Sequence, residues 1–322
     1  MKAARIWLAL AAAGLLAMMP VAHAEYPEKP LRLVVPFPPG GSTEPLARVL
    51  SQKLGEAFGH QHIDDNRQGA GSTIGAEIVA RSPPDGYTLF LGSISNAISA
   101  ALYPKLNFDI VRDFAPITLL ATTPGVLVVH PALPVKTVKE LLALAKAKPE
   151  QLAYSSAGNG TPPHLSAELL SSMTGIKLIH VPYKGGGPSI IALLSGEAQL
   201  SIASLPSAIG HMRSGKLRAL GVTTPQRTPS VPDLPTISEA GVPGYAAETW
   251  LGLAVAARTP KEIVTKLHAA TVRAMTLPEV KERLDTLGYI VRVGSPEEYS
   301  NFVQNEVDKW RRVVKAANVR VD

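Results

Sequence analysis

The chain has 322 residues, of which 46% are hydrophobic and 18% charged, with a formal net charge of +6 and no cysteine. The lack of cysteine excludes disulfides, cysteine nucleophiles, iron–sulfur clusters and thiolate zinc sites, and an aromatic content of 5% disfavours a base-stacking surface. The length predicts one large or two medium-sized domains with a sizeable core.

The chain starts with the pattern of an export signal. Lys2 and Arg5 precede 14 uncharged, mostly apolar residues at 6–19, and Ala22-His23-Ala24 supplies a small-x-small cleavage site. The apolar run is shorter than the about 20 residues that span a bilayer. We therefore predict a cleaved signal peptide over 1–24 and a periplasmic mature protein, with release to the medium as the alternative.

The basic residues of the mature chain are interspersed with acidic ones. Removal of Lys2 and Arg5 lowers the formal charge to +4, and the densest basic cluster is Lys309, Arg311 and Arg312 in the last predicted helix. A nucleic-acid-binding face would be a coherent basic stripe. We therefore expect a solvated helix surface and no nucleic-acid partner.

Short apolar strands alternate with helices along the mature chain. In chain order the pattern predicts strand 31–35, helix 44–58, a short helix around 74–79, strand 87–91, strand-like runs 117–121 and 126–130 on either side of Thr123-Pro124-Gly125, helix 138–147, strand 152–156, a helix ending at Met173, strand 177–182, helix 190–194, strands 200–203 and 217–222, an irregular connection over 224–245, an apolar run at 250–256, and helices 261–276, 279–287 and 297–317.

This alternation predicts α/β architecture with two mainly parallel sheets flanked by helices. Two such series, about 30–120 and 130–225, are joined by apolar strand-like runs rather than by a flexible linker. The economical topology has two lobes, two crossover strands and a ligand cleft between the lobes. We predict that 25–122 and 247–322 form the first lobe and that 123–246 form the second.

Three predicted strand-to-helix loops, 36–45, 155–164 and 182–189, are rich in proline, glycine and hydroxyl side chains. Ligands of open α/β sheets bind beside such helix N-termini, where free N–H groups and the helix dipole favour an anion. The first loop has no Arg or Lys, so backbone amides and hydroxyls would hold a carboxylate without a salt bridge. This hypothesis requires Gly41 and Gly158 to face one hollow; otherwise the loops are tight turns only.

Other patterns are weaker candidates. Gly69 to Gly75 departs from the dinucleotide-binding spacing, His60 and His62 would share one side of a strand without an obvious third metal ligand, and Asp85 lies in a turn. The sequence has neither a phosphate-loop Gly-Lys-Ser/Thr nor a Gly-x-Ser-x-Gly elbow. We therefore predict no cofactor and no metal.

One alternative is an exported hydrolase. His164 with Ser155 or Ser156 would imitate a base and its nucleophile. The simpler interpretation is that His164 lines the first turn of its helix and donates a hydrogen bond.

Seven segments along the mature chain form a recognisable set of motifs. They are Val35-Pro36-Phe37 with Pro39 to Thr43, Asn66-Arg67-Gln68-Gly69-Ala70-Gly71, Pro84-Asp85-Gly86-Tyr87-Thr88, Asn159 to Leu165, His180 to Gly185, Leu205-Pro206-Ser207 and Gly215 to Leu220. The set resembles the Bug family, the periplasmic solute receptors of tripartite tricarboxylate transporters. The likeness runs through the whole mature chain.

The resemblance implies a two-lobed, type II-like periplasmic binding protein that is a monomer and not an enzyme. Its ligand would be a small carboxylate, and its partners would be the large and small membrane subunits of a tripartite transporter. An exported sensory receptor for a carboxylate is the alternative role. The ligand-binding residues predicted from the loops and the resemblance are Phe37, Pro39, Gly40, Gly41, Ser42, Thr43, Ser93, Ser156, Gly158, Asn159, Thr161, Pro162, His164, Tyr183, Gly185 and Ser204.

The sequence departs from the family pattern at a few positions. Ala203 and Ser204 replace the Asp-Asn that many members carry before Leu-Pro-Ser, Glu44 replaces an Asp, and Ser72 replaces a Gly. The missing Asp argues against an amino-acid ligand, because that carboxylate can pair with an ammonium group.

Overall fold

The computed structural model describes residues 26–103 and 105–317, so the predicted signal peptide at 1–24 lies outside the described residues. In chain order the elements are β1 Arg32–Val35, α1 Thr43–Phe58, β2 Ile63–Asn66, a 3-10 turn Ala70–Ser72, α2 Thr73–Ala80, β3 Thr88–Ser93, α3 Ile94–Leu102, β4 Phe114–Val129, α4 Val138–Ala147, β5 Ala153–Ser156, α5 Pro162–Thr174, β6 Ile179–Pro182, α6 Gly186–Leu194, β7 Leu200–Ser204, α7 Leu205–Arg213, β8 Arg218–Val222, β9 Glu248–Ala256, α8 Lys261–Thr276, α9 Pro278–Thr286, β10 Ile290–Val291 and α10 Pro296–Ala317.

The strands form two sheets that share the long strand β4. In the first sheet β2, β1 and β3 are parallel, β9 is antiparallel to β3, and the first part of β4 pairs with β9 and β10. In the second sheet β6, β5 and β7 are parallel, and the last part of β4 pairs antiparallel with β7 and β8. Each sheet with its helices is one lobe.

Two strands carry the chain between the lobes. β4 pairs with β9 up to Pro124, which lies opposite Glu248, and with β7 from Gly125, which lies opposite Ser204. β9 begins at Glu248 and returns the chain to the first sheet. The structure thus has the predicted α/β architecture of two lobes and two crossover strands. Each sheet is mixed rather than mainly parallel, because β4 and β9 pair antiparallel with their neighbours. The lobe limits at 122/123 and 246/247 stay a prediction.

Each lobe has its own apolar core. In the first lobe Leu46, Leu50 and Leu54 lie on one face of α1, because residues four apart lie one above the other on a helix. They join a cluster with β1 and β3, and burial of one leucine side chain stabilises the fold by about 1.5–3 kcal/mol. α1 ends at Gly59, whose φ of 71° suits glycine. The second lobe has a separate core that includes Tyr154.

Several element boundaries differ from the sequence prediction. The two runs predicted at 117–121 and 126–130 are one strand, β4, because Pro124 lies where the partner strand changes. Helix α6 begins at Gly186 instead of 190. The sequence pattern predicts neither α3, which is buried on nearly every side and therefore lacks a polar face, nor β2, which is an exposed edge strand.

The predicted histidine pair does not lie on a strand. His60 and His62 precede β2, and His62 Nδ1 lies 3.1 Å from the carbonyl oxygen of His60. Among residues 26–103 and 105–317, no three His, Asp or Glu side chains stand close enough together to share a metal ion. In the same part of the chain no helix has the length and apolar character needed to cross a bilayer.

Candidate functional site

A cavity lies between the lobes where loops from both sheets meet. Its volume, taken as the space that the centre of a water molecule can occupy, is about 70 Å³. One water needs about 10–15 Å³ of such space, so the cavity holds several waters or one small organic molecule. The lining residues are Phe37, Gly41, Ser42, Thr43, Ser93, Ile94, Ser95, Gly125, Ala157, Thr161, Pro162, Pro163, Ser166, Gly186, Ser189, Ser201, Ile202, Ala203, Ser204, Ser207, Thr223, Ala247, Thr249, Trp250 and Leu251.

The described lining residues include no ionisable side chain. Twelve are Ser or Thr, three are Gly, and the others are apolar, with Phe37 and Trp250 the largest. The cavity therefore has no side-chain cation for an anionic ligand and no carboxylate for an ammonium group. Its side chains supply hydrogen bonds and apolar contacts, so any preference for charge must come from the backbone.

Five helices begin at the cavity wall. Residues at the starts of α1, α3, α5, α6 and α7 all line it. The first amides of a helix have no acceptor within the helix, and each N-terminus carries about half a positive charge. Two of these helices belong to the first lobe and three to the second. The backbone thus creates a positive potential in a cavity whose side chains are uncharged.

The start of α1 is held in shape by its own side chains. Glu44 accepts a hydrogen bond at 2.6 Å from the backbone N–H of Gly40 and pairs with Arg48, one turn further along. The Gly40 N–H, followed by Arg48, holds the pKa of the Glu44 carboxyl below its usual range. Because Glu44 is already paired and does not line the cavity, it orders the loop without placing a negative charge at the site.

One hydroxyl on the first-lobe wall lacks a partner. Thr43 Oγ1 is buried without a hydrogen-bond partner in the described chain, in a residue that is 3% exposed. Ser93 Oγ, by contrast, faces the backbone N–H of Asn96 in a capping box at the start of α3. Buried polar atoms are nearly always paired, so the Thr43 hydroxyl is free to bond a molecule in the cavity.

The hydroxyls on the second-lobe wall are bonded to one another. Ser189 Oγ donates to Ser155 Oγ at 2.9 Å, and Ser201 Oγ donates to the Ser155 carbonyl at 2.8 Å. At the crossover strands, Thr223 Oγ1 accepts the Gly125 N–H at 2.8 Å and donates to the carbonyl of Ala247. These hydroxyls are therefore already engaged within the protein, unlike that of Thr43 on the wall opposite.

The lobes touch through glycines at one edge of the cavity. A β-carbon built on Gly187 would lie 2.7 Å from the Pro39 carbonyl oxygen, and one on Gly40 would lie 3.1 Å from the Gly187 α-carbon. A β-carbon on Gly185 would lie 2.3 Å from Pro38. The loops leading into α1 and α6 therefore approach so closely that only glycine fits between them.

The predicted ligand-binding residues occupy three places. Those in the cavity lining are Phe37, Gly41, Ser42, Thr43, Ser93, Thr161, Pro162 and Ser204. Those in an adjoining hollow, which also touches Phe37, are Gly158, Asn159, Tyr183 and Gly185. Outside the lining are Pro39 and Gly40, at the contact between lobes, and Ser156 and His164. Their roles as ligand contacts stay a prediction. The requirement that Gly41 and Gly158 face one hollow is not met, because Gly41 lines the cavity and Gly158 the adjoining hollow; the loop of Gly158 instead reaches the cavity through Ala157 and Thr161.

Ser156 and His164 belong to a cluster behind the cavity wall. Ser156 Oγ lies 2.6 Å from His180 Nε2, and the His164 and His180 rings stack with centroids 4.1 Å apart. His164 Nδ1 accepts the Gly160 N–H at 3.0 Å, which leaves the ring proton on Nε2, and the expectation that His164 donates a hydrogen bond stays a prediction. This pattern fixes the loop before α5 and does not align His164 with Ser155 or Ser156.

Several lining residues are absent from the predicted set. Gly186, Ser189 and Ser207 lie in segments that the sequence analysis identified as loops or motifs, so the sequence pattern could have predicted that they lie near the cleft. Ser201, Thr223, Thr249 and Trp250 lie in or beside strands. Strand residues face one side or the other of a sheet, and the sequence does not say which side meets the second lobe.

Replacing Thr43 by valine should separate stability from binding. The change removes an unpaired buried hydroxyl, so we expect the free energy of unfolding to stay level or rise by up to about 1 kcal/mol. Binding of the cavity's ligand should weaken about five- to tenfold, because a hydrogen bond is lost. Urea denaturation and calorimetry measure the two effects.

Thr271→Val is the matched control for this change. Thr271 Oγ1 is also buried without a partner in the described chain, but the residue lies in α8 and does not line the cavity. It should gain stability without losing affinity. Equal binding by Thr43→Val and the wild-type protein would contradict a ligand contact at Thr43.

Comparison with known proteins gives a consistent relationship. The sequence pattern of the family described as "Tripartite tricarboxylate transporter family receptor" matches residues 46–319. Protein BugT of Bordetella pertussis is 34% identical over 318 residues, which cover 98% of this chain and 97% of that protein.

Two solved structures are similar over nearly their whole length. Rpa4515 of R. palustris, solved with adipate, has a TM-score of 0.89 and 36% identity and covers 92% of this chain and 99% of its own. MatC (Rpa3494) of Rhodopseudomonas palustris, solved with bound malate, has a TM-score of 0.85 and 33% identity, with coverage of 90% and 100%. These matches confirm the predicted fold class. Since the family pattern spans most of the sequence, the chain belongs to the Bug family of periplasmic solute-binding receptors of tripartite tricarboxylate transporters.

Proposed function

We propose that this protein captures a small carboxylate in the cavity between its lobes and delivers it to a tripartite tricarboxylate-type transporter. The observation that carries the proposal is a lining without ionisable side chains at which five helix N-termini meet. Such a site favours a small anion that accepts hydrogen bonds from amides and hydroxyls. Adipate and malate in the two related structures support the same ligand class.

Capture works by closure of the lobes. In an open state each lobe offers only its own helix starts, so either half of the site binds weakly. A carboxylate that contacts both walls gains interactions in the closed state that the open state lacks, and it therefore shifts the population toward closure. The glycine contacts beside the cavity support this mechanism, because they let the two loops meet closely.

The proposal includes the limits of the lobes and the setting of the protein. The change of partner strand at 124–125 and the start of β9 at Glu248 support lobes of 25–122 with 247–322 and of 123–246. After removal of a signal peptide at 1–24, the receptor would act in the periplasm as a monomer, with the large and small membrane subunits as partners.

The proposed receptor makes and breaks no covalent bond. Ser156 and His180 are hydrogen-bonded but do not line the cavity, which supports binding without turnover. A hydrolase using His164 would need this side chain to reach a bound substrate and a serine. Its Nδ1 instead accepts the Gly160 N–H.

A panel of small acids tests the proposal. Adipate, malate and other small dicarboxylates are added to the purified mature protein, with adipamide and other uncharged amides of the same length as controls. An acid at ten times its dissociation constant should raise the free energy of unfolding by about 1.4 kcal/mol, read as a rise in the melting temperature, and the amides should give none. Stabilisation by no acid in the panel, or equal stabilisation by acids and amides, would refute a carboxylate receptor.

A further inference from the structure

The phenol of Tyr289 reaches the helix start that faces the ligand cavity. Tyr289 lies between α9 and β10 and is fully buried in the core of the first lobe. Its hydroxyl donates a hydrogen bond of 2.5 Å to the carbonyl oxygen of Ser42, 247 residues away in the sequence. Ser42 is the residue from which α1 begins, and both Ser42 and Thr43 line the cavity.

The direction of this hydrogen bond fixes the direction of the next amide. A trans peptide is planar, and its C=O and N–H point in opposite directions. Ser42 has helical backbone angles at the start of α1, so its carbonyl points along the helix and away from the cavity, where it meets Tyr289, a residue outside the cavity lining. The Thr43 N–H, on the opposite edge of the same peptide, is thereby directed toward the cavity.

Local interactions leave this peptide without a side-chain cap. Ser42 has helical backbone angles, and its hydroxyl makes no capping hydrogen bond. The Glu44–Gly40 bond orders the residues before Ser42 but does not involve the Ser42–Thr43 peptide. A donor on the carbonyl also polarises the peptide and strengthens its N–H as a donor. The Tyr289 hydroxyl therefore acts on both the aim and the strength of the Thr43 amide.

We propose that Tyr289 is a positioning residue that aims the Thr43 N–H at the bound carboxylate without contacting it. The inference rests on the proposed function, because it assumes that a carboxylate occupies the cavity. The effect of Tyr289 is on affinity, and the proposal gives a binding role to a side chain that lies 247 residues from Ser42 in the sequence.

Tyr289→Phe tests this role, since it removes only the hydroxyl. We expect the dissociation constant of the acid from the panel that binds the wild-type protein most tightly to rise about tenfold. Tyr26→Phe is the matched control: Tyr26 also lies in the first lobe, and its hydroxyl donates to the Gly86 carbonyl at 2.7 Å, away from the cavity lining. Tyr26→Phe should bind the acid like the wild-type protein.

An NMR measurement separates positioning from a purely structural role. In the wild-type protein the Thr43 amide proton should move downfield when the acid binds, and this change should be much smaller in Tyr289→Phe. If Tyr289→Phe does not fold, the wild-type protein still provides a test. A Thr43 amide proton whose chemical shift does not change when the acid binds would refute the inference. If Tyr289→Phe binds the acid as tightly as the wild-type protein, the positioning role of Tyr289 is refuted while the proposed function stands. If the wild-type protein binds no acid, both the positioning role and the proposed function are refuted.

Discussion

Replacing Gly187 by alanine should weaken carboxylate binding roughly thirty- to hundredfold without destabilising the free protein. The added β-carbon would lie 2.7 Å from the Pro39 carbonyl oxygen on the other lobe. Such overpacking costs about 2–3 kcal/mol, and under the proposed closure of the lobes this cost falls on the closed state alone, because only that state brings the loops together. A loss of this size corresponds to the stated change in dissociation constant.

The second lobe itself should tolerate the substitution. Gly187 lies in the first turn of α6, and alanine is the better helix former by up to about 1 kcal/mol. The free protein should therefore be as stable as the wild type or slightly more stable. Urea denaturation without ligand and calorimetry with the acid give the two quantities.

Gly210→Ala is the control for this experiment. Gly210 lies within α7, and a β-carbon there would meet nothing within 4 Å. It should share the gain in helix stability and keep wild-type affinity. If Gly187→Ala also keeps wild-type affinity, the close contact of the two loops is not part of the binding-competent state.

Acidification should destabilise the protein through the histidines behind the cavity wall. Burial, with a smaller contribution from His164, lowers the pKa of His180 to about 4, and burial also lowers the pKa of His164. The unfolded chain, with ordinary histidine pKa values near 6.5, binds more protons than the folded chain between about pH 6.5 and pH 4. Stability is therefore present above pH 6.5 and is lost as the pH falls.

The size of the pH effect follows from the shift at His180. If His180 were fully buried, its shift would lower the free energy of unfolding by about 2 kcal/mol between pH 7 and pH 5. Because His180 is partly exposed, the expected decrease is about 1 kcal/mol. Urea denaturation at the two pH values measures the loss. His62, whose pKa burial also lowers, adds to the total in the wild-type protein.

His180→Gln should flatten this dependence by about 1 kcal/mol over the same pH range. The glutamine amide can still bond Ser156, whose hydroxyl lies 2.6 Å from His180 Nε2, so the loop keeps a partner. Identical pH profiles for wild-type protein and His180→Gln would show that the stacked pair does not titrate as its burial implies.

The first-lobe half of the site was predictable because its signal is local. Pro36 to Pro45 combines the end of an apolar strand, glycines and a helix-starting hydroxyl within ten residues. Its prolines restrict the backbone and its glycines permit the turn, and the structure makes it a strand-to-helix loop at the cavity. The alternation of strands and helices likewise predicted the fold class.

The rest of the site depends on contacts between residues far apart in sequence. Ser201 and Thr223 reach the cavity only because β7 and β8 pair with β4 in the register observed. The contact of Gly40 with Gly187 requires both lobes to be in place. Periodicity reports which residues are buried, but it does not report which neighbour covers them.

The uncharged cavity has a consequence for how this kind of receptor diversifies. Its attraction for acids comes from where helices begin, and helix starts persist when individual serines, alanines or aromatic residues at the wall are exchanged. Point mutations in the wall can therefore alter the shape and length of the acid that fits while the preference for acids is retained. During evolution such a receptor can therefore change which acid it binds while the positive potential from its backbone stays the same.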